Sequence, residues 1–68
     1  MKAPELIEAL QIIESARPQS KSSYHFRAEH DTVWAGGADY PLTEDQQSRL
    51  QELGVTWNED VDGWEMRL

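Results

Sequence analysis

The densest set of oxygen ligands in the chain is the run Asn58-Glu59-Asp60-Val61-Asp62-Gly63. Asn58, Asp60, Asp62 and Gly63 match positions one, three, five and six of the helix–loop–helix calcium pattern, in which side-chain oxygens surround the ion and a glycine allows the sharp turn. The bidentate glutamate of position twelve would fall one residue past Leu68, and the flanking residues read as strands rather than helices. A solvated acidic turn is therefore expected, with no metal assigned. The two histidines, His25 and His30, are the next candidates. His30 stands between Glu29 and Asp31, a neighbourhood that would suit a base or a metal ligand. A transition-metal site needs a third or fourth convergent ligand, and the spacing supplies none. His30 is read as a turn residue, and His25 as a side chain on the face opposite Phe26.

Nucleophilic and phosphate chemistry are absent as patterns. Ser15, Ser20, Ser22, Ser23 and Ser48 have no base nearby in sequence, and Gly36-Gly37 lacks the following Lys and Ser/Thr of a phosphate loop. A core this small also leaves little room for a substrate pocket of several hundred cubic ångströms. These residues argue against an enzyme: no catalytic residue and no cofactor is assigned.

What remains is recognition. The chain has 68 residues and a formal net charge of −7, with no cysteine. Residues 1–34 hold five acids and four bases, whereas residues 35–68 hold eight acids and two bases. Such a surface repels phosphate and attracts basic proteins, so direct nucleic-acid binding is disfavoured. Glu59, Asp60 and Asp62 are the expected partner-binding acids. Trp34 is the aromatic that would add affinity beside them, tryptophan being typical of binding hot spots. Whether Trp34 faces core or solvent depends on the register of its hairpin. The absence of cysteine excludes disulfides and thiolate metal sites. No apolar run approaches the ~20 residues of a membrane helix and no signal peptide is visible, so a cytoplasmic protein is expected.

The elements that must position these residues follow from local pattern. Pro4 suits a first helical turn, Leu6, Leu10 and Ile13 recur at helical spacing, and Pro18 disfavours helix at Arg17, which predicts a helix over about 4–16. Tyr24, Phe26 and Ala28 alternate with polar residues, and Thr32-Val33-Trp34-Ala35 is strand-rich, so a hairpin is expected at about 24–28 and 32–36. Thr43 and Gln46 fit a reciprocal cap and Gly54 a left-handed terminator, bounding a helix at about 44–53. A second hairpin runs from Val55 to Leu68. A two-residue Asp62-Gly63 turn would put Glu59 on the core face. A longer loop pairs Trp57 with Trp64 and puts Val55, Trp57, Trp64 and Met66 on one face, with Gly63 at positive φ, and is preferred. The resulting fold class is α+β: helix–hairpin–helix–hairpin, a small antiparallel sheet of up to four strands with both helices on one face. The single domain spans residues 1–68. Its expected core is Leu6, Leu10, Ile13, Phe26, Val33, Trp34, Leu50, Leu53, Val55, Trp57, Trp64 and Met66. The two αββ halves superpose Phe26 on Trp57 and Val33 on Trp64.

The segments Ala28-Glu29-His30-Asp31 with Val33-Trp34-Ala35-Gly36, Thr43-Glu44-Asp45, Leu50-Gln51-Glu52-Leu53-Gly54, and Trp57-Asn58-Glu59-Asp60 with Trp64 resemble a family of small uncharacterised proteins of tailed bacteriophages and prophages. The resemblance covers nearly the whole chain, including the N-terminal helix, and departs at Val55, where an aromatic residue would be expected. It implies phage origin, residence in the host bacterial cytoplasm and a small α+β fold, and it transfers no activity or catalytic residue. The combined expectation is an accessory protein that binds a basic-surfaced host or defence protein through its acidic face. The alternative is a homo-oligomeric assembly protein, with a homodimer allowed. A small metal-dependent enzyme built on His30 ranks behind both.

Overall fold

The computed structural model describes residues 1–18 and 26–68. The order is α1 (Ala3–Ser15), β1 (Phe26–Glu29), β2 (Thr32–Ala35), α2 (Glu44–Glu52), β3 (Thr56–Asn58) and β4 (Gly63–Arg67). This is the expected α+β order. The expected start of the first strand at Tyr24, the side chain of His25 and most of the loop before them lie outside the described residues.

Local chemistry sets the helix ends. Thr43 Oγ1 accepts from the Gln46 N–H at 3.1 Å, while Gln46 Oε1 accepts from the Thr43 N–H at 2.9 Å. Two of the donors that every helix N-terminus leaves unpaired are thereby satisfied. Gly54 ends α2 at φ 87, a conformation that costs glycine little. α1 stops at Ser15 with Ala16 as its cap, two residues before Pro18.

The four strands form one antiparallel sheet in the order β1-β2-β4-β3. Ala9 and Ile13 of α1, Leu50 of α2, Leu53 at its C-cap, Val33 and Ala35 of β2, Met66 of β4, and Val55 and Tyr40 from the connections make one buried cluster. Both helices therefore lie on the same face of the sheet, as their apolar stripes require. A bidentate ion pair from Arg49 to Glu8, at 2.6 and 2.9 Å, ties α2 to α1 across the surface. The Arg49 guanidinium holds the Glu8 carboxyl below its ordinary range.

The second hairpin has the longer loop. Trp57 pairs with Trp64, and their rings meet edge to face at 5.3 Å. Asn58 pairs with Gly63, leaving residues 59–62 as the loop. Gly63 does not take the expected positive φ. Asp62 does, at φ 52, because Gly63 is already extended as the first residue of β4. Each half of the chain is one helix followed by one hairpin. The offset of 31 residues from Val33 to Trp64 maps Trp34 onto Glu65, its own partner across the β2–β4 pair.

Three of the expected core residues lie elsewhere. Phe26 is 51% exposed because β1 is an edge strand whose four residues are all exposed. Trp34 lies on the helix-free face of the sheet, because it shares a face with Arg27 and Glu65 rather than with Val33. Trp57 is half-buried at the other edge. No helix among the described residues is long and apolar enough to cross a membrane.

Candidate functional site

Register places Arg27, Trp34, Glu65 and Thr56 in one row across the helix-free face of the sheet. A strand alternates its side chains, so this row is the counterpart of the buried row on the other face. The Arg27 guanidinium sits 5.6 Å from the centre of the Trp34 ring, a cation–π arrangement. On the other side, Trp34 Nε1–H donates to Glu65 Oε1 at 2.8 Å. Asn58 Nδ2–H donates to the same oxygen at 3.0 Å, and Arg67 Nε–H reaches Glu65 Oε2 at 3.4 Å. A Cβ added at Gly63 would meet the carbonyl oxygens of Gly36 and Ala35 at 3.5 and 3.6 Å and the Trp34 Cβ at 3.7 Å, so Gly63 packs closely against β2.

Asn58 joins this platform to the acidic loop. Its Oδ1 accepts from the Asp60 N–H at 2.9 Å, closing a turn in the way Asn side chains do, while its amide nitrogen holds Glu65. The Asp62 N–H donates to the Glu59 carbonyl at 3.3 Å and completes the loop. Glu59, Asp60 and Asp62 are all exposed, and none of them pairs with a cation among the described residues. The loop thus holds three unneutralised carboxylates in a defined shape at the end of the Trp34 platform.

Glu65 is the electrostatic centre. Its side chain is only 15% exposed, and its carboxyl is held below the ordinary value. The largest cause is the hydrogen bond from Asn58, followed by that from Trp34, with Arg67 adding charge and partial burial opposing. A depressed carboxyl stabilises the fold above the unfolded pKa, and that stabilisation is lost as pH falls through the folded pKa. Glu65→Gln should therefore be less stable than the parent near neutrality, and the gap should close on acidification below the ordinary Glu value of 4.5. Thermal melts of both proteins from neutral pH downward measure this. A gap that stays constant would show that the carboxylate charge is not what the network holds.

The structure brings together all four residues expected to bind a partner: Trp34 on the platform, and Glu59, Asp60 and Asp62 on the loop attached to it. Sequence reasoning missed Glu65 and Asn58. The signal for Glu65 was the Trp57–Trp64 register, which fixes which side chains of β4 face away from the helices. The calcium resemblance had hidden the turn-closing role of Asn58. His30 lies exposed at the tip of the first hairpin with φ 50, consistent with a turn residue. No group of three or more His, Asp or Glu among the described residues could hold a metal ion.

The expected lack of space for a pocket is corrected. Two open grooves of about 640 and 550 Å3 flank the core. One lies between α1 and β1, lined by Ile7, Leu10 and Phe26 among others. The other runs beside Leu42, Trp57 and Trp64. They exist because the helices do not cover the sheet to its edges. Compared with protein-family models, curated proteins and solved structures, the chain matches none.

Proposed function

We propose that this protein acts by binding a protein partner with a basic surface, using the acidic loop for attraction and the Trp34 platform for contact. In keeping with the bacteriophage resemblance of its segments, the partner is a host or defence protein of the bacterial cytoplasm. The observation that carries the reading is the double role of Asn58. One side chain fixes the shape of the acidic loop and locks Glu65, which in turn orients Trp34. Groups held before binding lose less entropy on binding, so an ordered loop beside an ordered ring is suited to recognition. Exposed carboxylates speed encounter with a basic surface, and a half-buried tryptophan supplies affinity once contact is made.

The test is capture from host lysate with the parent protein and a loop variant carrying Glu59→Lys, Asp60→Lys and Asp62→Asn. Asparagine is used at Asp62 because it tolerates the positive φ there. The parent should retain a basic protein at low salt and release it near ~0.5 M salt, where exposed charges more than several ångströms apart are screened. The loop variant should retain none while keeping its circular dichroism spectrum, and Trp34→Ala should weaken retention without changing its salt dependence. Retention of the same protein by the folded loop variant would refute the proposal.

A further inference from the structure

Among the described residues no strand pairs with the outer edge of β1, and the chemistry of that edge is complementary to itself. The Leu68 N–H donates to the Asp31 carbonyl at 2.6 Å. That bond makes Thr32–Arg67 a pair without mutual hydrogen bonds and turns the N–H and C=O of Thr32 toward β1. Thr32 is opposite Glu29, so Glu29 and Arg27 point their backbone groups inward to β2, and Ala28 points its own outward. An outward N–H and C=O on an exposed strand form a template for another strand.

Only some registers satisfy that template. Antiparallel pairing of two β1 strands must place outward-pointing residues opposite one another. Setting Ala28 opposite Ala28 of the second copy puts Arg27 of each copy against Glu29 of the other. Slipping two residues either way sets Arg27 against Arg27 or Glu29 against Glu29. Like charges directly opposite are destabilising, so the charges select the central register. Arg27 and Glu29 are 64% and 53% exposed and already pair at 2.8 Å within one chain, so exchange between copies needs side-chain rotation, which for Arg27 also turns the guanidinium relative to the Trp34 ring.

Two further observations fit. Of the exposed large apolar residues, Ile7 and Phe26 both line the groove between α1 and β1, which opens onto this edge. A second copy would bring two such grooves together over the seam and remove apolar surface from water. The acidic loop belongs to the β3–β4 hairpin, at the opposite side of the strand order. Joining at β1 therefore keeps the most negative parts of the two copies apart.

We propose that the protein forms a twofold symmetric homodimer by pairing of β1 edges, with Ala28 on the axis and Arg27–Glu29 pairs on either side. This does not rest on the partner-binding reading, although Arg27, which lies over the Trp34 ring, belongs to both surfaces. Sedimentation of the parent from low to high micromolar concentration should show a monomer–dimer equilibrium. Arg27→Glu should weaken the dimer roughly ten-fold or more, because two symmetric contacts become repulsive. The exchanged variant Arg27→Glu with Glu29→Arg should restore it. Ala28→Pro should abolish dimerisation while keeping the monomer folded, because the N–H it removes points away from β2. A parent that is monomeric throughout, an Arg27→Glu variant that dimerises as well as the parent, or an exchanged variant that stays monomeric would each overturn the proposal.

Discussion

Leu50→Ala should leave little folded protein at room temperature. Leu50 is fully buried on α2 and belongs to the one cluster that joins both helices to the sheet. Removing a buried leucine side chain costs ~2–5 kcal/mol through lost transfer energy and the cavity left behind. A domain this small sits near the low end of the ~5–15 kcal/mol range of native stability. The loss is thus comparable with the whole. Where a transition can still be followed, the melting temperature should fall by roughly 10–30 °C. Leu50→Met, which nearly conserves volume, should cost less than about 1.5 kcal/mol. Thermal unfolding followed by far-ultraviolet circular dichroism checks both. A drop smaller than about 4 °C for Leu50→Ala would mean that the core does not depend on this side chain.

The second large effect separates two glycines with nearly the same backbone. Gly36 has φ 77 and Gly54 φ 87. An alanine at either position takes the left-handed conformation at a cost of ~1–2 kcal/mol. The surroundings then differ. A Cβ at Gly36 would lie 2.9 Å from Ile13 Cγ2 and 3.3 Å from Trp64 Cδ1, inside the packing between α1 and the sheet. At Gly54 it would meet nothing within 4 Å. Overpacking of this kind adds ~1–3 kcal/mol. Gly36→Ala should therefore be clearly more destabilising than Gly54→Ala, by a margin readable in urea midpoints at equal slope. Equal midpoints would show that strain at positive φ, not crowding, is the whole effect.

These two glycines also mark where sequence reasoning stops. Gly54 was readable because it follows a helical stripe closed at its other end by Thr43 and Gln46, and a helix terminus is a local event. Gly36 was readable only as a break after a strand. Its necessity comes from Ile13 and Trp64, which are far away in the chain and meet only once α1 lies on the sheet. The candidate site divides in the same way. The three carboxylates of Glu59, Asp60 and Asp62 were visible as a run. The platform was not, since Trp34 reaches Glu65 across 31 residues.

The sequence by itself determined the elements and the second hairpin. Helix caps, proline stops and period-two alternation act within a few residues. The Trp57–Trp64 register follows because any slip by one residue would turn large apolar side chains to water. The tertiary structure decided the strand order and, through it, the fate of each aromatic. Pairing β2 with β4 at the centre buries Val33 and Met66, sends Trp34 to the helix-free face, and leaves β1 with Phe26 at the end of the strand order. No local pattern contains that choice. It depends on which arrangement lets two helix stripes and two half-buried hairpins share one small core, and that balance exists only when all four are together.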